Sequence, residues 1–385
     1  MTSEIRHLRR SIIRALRQQG YTVQEDSILM PEDQSKEALR RIHEIAVKHN
    51  VALAAPALRR HEDRLLGFIA NGSEIDPHKV HPRLVLVERG SFNELLFRYA
   101  ALHWSIPVSS GYGRRLRFLV MDQHNGKLIG LFGLGDPVFA MKARDSHVGW
   151  TFAAKKLSMY HVMEAYVLGA VPPYSQLLCG KLIALLALSD EVRQAFQKRY
   201  RNSESVIGKK RRTPYLALIT TTSAFGRSSL YNRLRCNGTT YWEGVGFTQG
   251  SGGFHFSNGV YAAIREFVVR ECNPTAKQSA WGTGYRNKRE VVQKCLKAVG
   301  FSDSFLYHGV KREVYVAALG KDSLRFLQGE CRSPRYFNRP ARKLSDLFIE
   351  RWLKQRATSC PEYKQFDREA YRLWPSATPE RVSPC

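Results

Sequence analysis

The sequence predicts an α+β protein built on a mixed, mostly antiparallel sheet with flanking helices, and three observations carry that expectation. Apolar residues recur at helical spacing near the N-terminus, a strand pair flanks Asn125-Gly126, and later strand-like runs alternate with helical ones. A chain of 385 residues with 43% apolar content is long enough to bury a sizeable core.

The elements follow in order. From Ser3 to Gln19, Ile5, Leu8, Ile12, Ile13 and Leu16 lie beneath a cationic face of Arg6, Arg9, Arg10, Arg14 and Arg17, and Gly20 stops the helix. Such a face serves either phosphate contact or plain solvation. Further helices are expected from Gln34 to His49 and from Pro56 to Ala70, so residues 1–80 form a helical N-terminal section. A short strand ends near Val87, and Ser91 caps a helix running to Trp104.

The stretch from Gly111 to Trp150 is the densest in signals. Arg117 to Met121 and Lys127 to Leu134 are β-branched and apolar on either side of Asp122-Gln123-His124-Asn125-Gly126, and Asn-Gly is the strongest short hairpin cue. Pro137 stops the second strand because it lacks the N–H a ladder needs. A third strand is expected around Val148-Gly149-Trp150 and a fourth from Val162 to Leu168. A turn at Gln176 to Lys181 leads into a helix from Leu182 to Leu188, a basic loop spans 198–212, and Pro214 to Thr221 is a fifth strand. A short helix from Ser228 to Arg235, a glycine-rich strand region from Gly244 to Phe256, a helical insertion over 262–299 and a last strand from Glu313 to Leu319 complete a core over 81–329. Residues 330–385 read as a basic C-terminal tail with one helix from Leu344 to Arg356, ending in proline-marked disorder.

Charge narrows the function. Sixty Lys+Arg against 34 Asp+Glu give a net charge of +26 and a pI near 10, a field that attracts polyanions, nucleic acid first among them. The seven cysteines are scattered without a C-x-x-C, which argues against zinc and against a disulfide framework. No apolar run reaches the length of a membrane span and no signal-like segment opens the chain, so a soluble cytoplasmic protein with no membrane partner is expected.

Candidate polyanion contacts are Arg114, Arg115 and Arg117 before the hairpin, Lys142 and Arg144 after it, and Lys209, Lys210, Arg211 and Arg212 on the basic loop. Tyr112, Trp150 and Trp242 are candidates for stacking on bases. Arg115 and Arg117 share one strand face by alternation while Arg114 points the other way, so at least one of the three is available for internal pairing. The Arg144-Asp145 pair either neutralises itself in a structural role or places Asp145 as a base. Asp122, Asp136, Asp145 and Glu164 are hard oxygen ligands suited to a divalent metal, set against the ordinary use of hairpin aspartates in turns.

The order of hairpin, third and fourth strands, phosphate-loop-like turn, helix, fifth strand, helix and sixth strand resembles the GNAT acyltransferase fold. In that family the turn after the fourth strand holds the pyrophosphate of acetyl-CoA on backbone N–H groups. The resemblance implies cofactor contacts at Gln176, Gly180 and Lys181, although one extra residue separates Gln176 from its glycine and the second small position is missing. It also implies that Tyr231, in Ser228-Ser229-Leu230-Tyr231-Asn232-Arg233-Leu234, is a general acid, against the alternative that its ring packs on the sheet.

A second resemblance covers nearly the whole chain. The strings WSIPVSSGYGRRLRFLVMDQHNGKLIGL, GDPVFAMKARDSHVGW and VKREVYVAAL are similar to the DruA family of the Druantia anti-phage system and its mobile-element relatives. That likeness implies a role on DNA in phage defence or element mobility, alongside other proteins of such systems. An acetyl-CoA-dependent acyltransferase and a metal-dependent recombinase or nuclease are the alternatives.

Overall fold

The computed structural model describes residues 2–108, 113–204, 211, 213–236, 238–275 and 285–375. Asn125-Gly126 closes the hairpin as its sequence requires. Gly126 takes a positive φ of 71° and Asn125 Oδ1 accepts from Lys127 N at 2.9 Å. Asp122 belongs to that turn: its carboxylate accepts from His81 N, His124 N and the Tyr174 hydroxyl at 2.8–3.0 Å.

Around the hairpin grows a seven-stranded sheet of β1 (Pro82–Leu86), β2 (Arg115–Asp122), β3 (Leu128–Gly135), β4 (Val162–Ala170), β5 (Leu218–Thr222), β6 (Glu243–Phe247) and β7 (Glu313–Ala318). The spatial order is β6-β7-β5-β4-β3-β2-β1, and all neighbours are antiparallel except β4 and β5. The helices that matter here are α1 (Ser3–Gln18), α2 (Lys36–Leu58), α3 (Phe92–Ala101), α4 (Lys142–Val148), α5 (Phe152–Ser158), α6 (Cys179–Leu186), α7 (Asp190–Tyr200), α8 (Val260–Glu271), α9 (Tyr285–Ala298), α10 (Ser323–Gln328) and α11 (Ala341–Phe348). The parallel pair is joined through α6 and α7, because parallel neighbours need a crossover that a tight turn cannot supply.

Two expectations are corrected. Val148-Gly149-Trp150 is not a strand: Asp145 accepts from Met141 N at 3.1 Å, which starts α4, and Gly149 ends it in the left-handed region. The hairpin's next neighbour is therefore β4. Pro56 does not open a helix either. It lies near the end of the continuous α2, and the piece that follows is short, Glu62–Leu66.

Alternation divides the sheet's side chains between two cores. On one face Phe118, Val120, Phe132, Leu134, Met163, Ala165, Ile219 and Tyr315 pack beneath α6 and α11. On the other, Leu119, Leu131 and Val167 pack with α3, while Val162, Leu218 and Val316 pack with Val148 of α4 and with Phe326 and Leu327 of α10. A separate helical core joins α1, α2, α8 and α9 through Leu8, Ile12, Ile42, Phe256, Phe267 and Leu296.

The segment after Gly329 is packed, not a loose tail, as far as Pro375. Leu344, Phe348, Leu353 and Tyr363 complete the first core, and α11 continues through Ile349–Leu353 into a helix at Lys354–Ser359. Further on, the buried Glu62 carboxylate accepts from Leu373 N, Trp374 N and the Tyr99 hydroxyl at 2.6–3.3 Å. Apolar and hydrogen-bonded residues beyond Gly329 thus find partners that no local pattern reveals. Residues 376–385, where the proline-marked end was expected, lie outside the described ones. Among the described residues no helix is long and apolar enough to cross a membrane.

Phe348 is fully buried, so Phe348→Ala should cost about 3–5 kcal/mol, the usual range for a lost core aromatic. Urea unfolding measures it, and a midpoint unchanged from the parent would mean the segment is not part of the core.

Three buried histidines and the half-buried His103 make the fold acid-sensitive. Burial holds His43, His103 and His308 down at about 3 and His255 at about 4, below the ordinary imidazole value of 6.5. Because the unfolded chain binds more protons below pH 6.5, stability is present above that pH and is lost as pH falls toward the folded values. A urea midpoint that drops between pH 7 and pH 5 is the expected result.

Candidate active-site cleft

Between the α3 core and the α4–α10 core, the sheet face carries charge in place of apolar side chains. Arg115 and Arg117 alternate with Leu116 and Phe118 on β2, and Glu164 and Tyr166 lie on β4. The backbone makes room for them. A side chain at Gly133 would meet the Tyr166 hydroxyl at 2.5 Å, so only glycine lets that ring lie across β3. A bulge in the β3–β4 register falls at the same place.

One wall is the pair Arg117–Glu94. Arg117 Nη1 meets Glu94 Oε1 at 2.7 Å, and its Nε donates to the Tyr166 hydroxyl at 3.3 Å. Glu94 also accepts from Gly90 N at 2.8 Å; that bond, with Arg117, holds its carboxyl below the ordinary value. Beside this wall lies a cavity of about 340 Å³, lined among others by Arg98, Trp104, Val108 and Tyr166.

A second cluster, beside Glu164, is organised by Arg144. Its side chain is 0% exposed, and every contact serves to neutralise it. Nε and Nη2 fork onto Asp145 Oδ1 at 2.9 and 2.7 Å, while Nη1 and Nη2 donate to the carbonyls of Val138 and Phe139 at 2.9 and 3.1 Å. Lys155 of α5 meets the other Asp145 oxygen at 2.6 Å. The guanidinium also lies 5.6 Å from the Trp150 ring. Both carboxylate oxygens of Asp145 are therefore engaged, which suits an ion pair that holds a loop better than a free base.

Glu164 differs. Among the described residues it makes no ion pair and accepts only from Val138 N at 3.4 Å, and burial pushes its carboxyl above the ordinary value against the pull of Arg144. Burial thus disfavours the charged form of this carboxyl, which sets it apart from the ion-paired Asp145.

The remaining site candidates separate by environment. Arg114 points away from Arg117: it donates from N and Nε to Asp136 at 2.9 and 2.8 Å, and its guanidinium sits 4.3 Å over Tyr160. Arg114, Arg117 and Arg144 are thus committed internally. Lys142 is exposed, Arg115 is half-buried, and Arg211 is exposed with Glu204 at 3.4 Å. Tyr112, Lys209, Lys210 and Arg212 lie outside the described residues. Trp242 is 1% exposed with its indole N–H on Ala184 O, so its ring is closed to a base, whereas Trp150 is half-buried with its indole N–H on Leu327 O.

Tyr231 is buried against Trp242 and Tyr315, and desolvation raises its hydroxyl far above the ordinary value, the packed alternative foreseen for it. At the turn before α6, Gln176 O accepts from Arg356 Nε at 2.9 Å. Lys181 donates to Arg233 O at 3.2 Å and lies 5.2 Å over the Trp352 ring, and a side chain at Gly180 would touch Leu230. C-terminal residues thus rest against this turn.

The four carboxylates do not converge. Asp122 and Asp136 sit at opposite ends of the eight-residue strand β2, roughly 23 Å apart at the usual rise per residue. Among the described residues no group of three His, Cys, Asp or Glu is placed to hold a metal. Glu94, Lys155 and Tyr166 were not singled out from the sequence. Glu94 carried a signal only as the third residue after the Ser91 cap, and the other two are brought in by tertiary packing.

Asp145→Asn should cost about 3–5 kcal/mol, because it strands the buried Arg144 charge. Chemical denaturation checks this, and a loss under about 1 kcal/mol would show that the pair is not the anchor of the loop.

Both walls come from long, specific strings of the sequence: Trp104 and Arg117 from one, Val138 to Trp150 from the other. The model of the family described as "Druantia protein DruA" matches residues 33–329, which contain both. The curated Druantia protein DruA of Escherichia coli (strain UMEA 4076-1) is 36% identical over 358 residues, 93% of this chain and 89% of that protein. No solved structure matches. A match over this much of both sequences settles the family, and the chain belongs to the DruA family.

Proposed function

We propose that this chain acts on DNA as a component of phage defence or of a related mobile element. The observation that carries the reading is α1. Arg6, Arg10, Arg14 and Arg17 are exposed, spaced along one side of the helix, and none makes an ion pair with a described residue. Arg9 is set inward, donating to the carbonyls of Val299 and Gly300 and lying over Phe301, so the helix is fastened while its other arginines face water. A fixed row of four cations on a chain of net charge +26 suits a phosphate backbone.

Some observations favour a GNAT-like fold beneath this function. Three antiparallel neighbours precede β4, the parallel partner β5 follows a helical crossover, and β7 completes the sheet. Acetyl-CoA has less support than the fold, since Arg356 and Trp352 rest against the turn it would use. A metal-dependent recombinase or nuclease would need ligands other than the dispersed Asp122 and Asp136.

Filter binding of duplex and single-stranded DNA across a salt series tests the proposal. Affinity should fall with log salt at a slope near −0.9 per duplex phosphate contacted. Replacing Arg6, Arg10, Arg14 and Arg17 by Ala should flatten that slope by up to about 3–4. Absence of binding at low salt would overturn the proposal.

A further inference from the structure

The rim of the cleft carries two aromatic rings in open solvent. Phe139 is 50% and Phe152 73% exposed, and their ring centroids lie 6.4 Å apart at 77°. Exposed phenylalanines need explaining, because each leaves a large apolar surface in water. Neither ring is on a loose segment. Arg144 pins the Phe139 carbonyl at 3.1 Å and the Val138 carbonyl at 2.9 Å, and Phe152 opens α5, which Thr151 caps. Lys155, tied to Asp145, stands 4.4 Å over the Phe139 ring. The buried guanidinium thus holds an exposed ring in place.

The surroundings are cationic. Lys142 and Lys156 are exposed on α4 and α5, and the nearby Asp145 is already neutralised by Arg144 and Lys155. Behind the loop stands Glu164, held by Val138 N. Flat apolar faces beside free ammonium groups fit a partner with unstacked π-faces and a phosphate backbone. In a duplex the bases already stack on one another, so only a single strand or an extruded base offers such faces.

We infer that Phe139 and Phe152 form a stacking platform for the bases of a single-stranded or locally opened nucleic acid, which Lys142 and Lys156 hold by its phosphates beside Glu164. This rests on the proposed action on DNA and names the form of DNA the cleft receives. Trp242, by contrast, is buried with its indole N–H on Ala184 O.

The test uses the full chain and three fluorescent probes of equal length at one salt concentration: an oligo-dT strand, a strand of the same phosphate count with every base removed, and a duplex. Affinity is read by anisotropy for the parent, for Phe139→Ala/Phe152→Ala and for Lys142→Ala/Lys156→Ala. Both rings are exposed, so the double variant should fold, which its unfolding midpoint confirms. The parent should prefer oligo-dT over the baseless strand by about ten-fold or more, since stacking on an aromatic ring contributes that much per base. The phenylalanine variant should lose this preference while binding the baseless strand as the parent does, and the lysine variant should weaken on all three probes. A preference that survives the phenylalanine changes overturns the platform and leaves the DNA reading standing. No binding of any probe overturns both. A parent oligomer that the phenylalanine changes dissociate, seen by light scattering, makes the rings a protein interface and overturns the proposal.

Discussion

A guanidinium removed from water must find an anion and a full set of acceptors nearby, and Arg144 is the place where this protein meets that requirement. The cost of leaving such a charge unpaired is several kcal/mol, so the chain around it has little freedom. Asp145, adjacent in sequence, supplies the charge, and the carbonyls of Val138 and Phe139 take the remaining donors. One residue thereby shapes the exit from β3, the start of α4 and the position of α5 through Lys155. The wall of the cleft follows from electrostatic satisfaction rather than from apolar packing.

The Arg117 wall obeys the same logic with weaker burial. Arg117 is paired with Glu94 and leans on Tyr166, whose ring needs the bare backbone of Gly133 beneath it. Glu164 makes no ion pair with a described residue, and burial raises its carboxyl against the pull of Arg144. Asp122, Asp136, Asp145 and Glu164 look alike in a list of acids, but their surroundings differ. Asp122 serves the hairpin turn and Asp136 serves Arg114.

Surface cations divide in a similar way. A net charge of +26 identifies a partner class but not the residues that meet it. Arg114, Arg117 and Arg144, prominent in the sequence beside the hairpin, are consumed within the fold, whereas Arg6, Arg10, Arg14 and Arg17 of α1 face solvent. The aromatic residues reverse in the same sense. Of the tryptophans drawn from the sequence as base-stacking candidates, Trp242 is buried and Trp150 half-buried, whereas Phe139 and Phe152 stand in water.

Local chemistry was sufficient for much of this protein. Asn125-Gly126 specifies the hairpin, Ser91 the start of α3, and the alternation along β2 the shared face of Arg115 and Arg117, because turns, caps and strand faces depend on neighbours a few residues away. The strings around Trp104 and Val138 to Trp150 likewise carried the family. Tertiary structure alone decided which charges pair, since Glu94 lies 23 positions from Arg117 and Lys155 ten from Asp145. The helix Lys142–Val148, which the apolar end at Val148 to Trp150 disguised as a strand, starts where Asp145 accepts from Met141 N and ends at the left-handed Gly149. Beyond Gly329 the sequence looked like a tail because its apolar residues are sparse and their partners, Glu62, Tyr99 and the sheet, stand more than a hundred residues away. Pairing over such distances is set by the fold as a whole, and no window of sequence contains it.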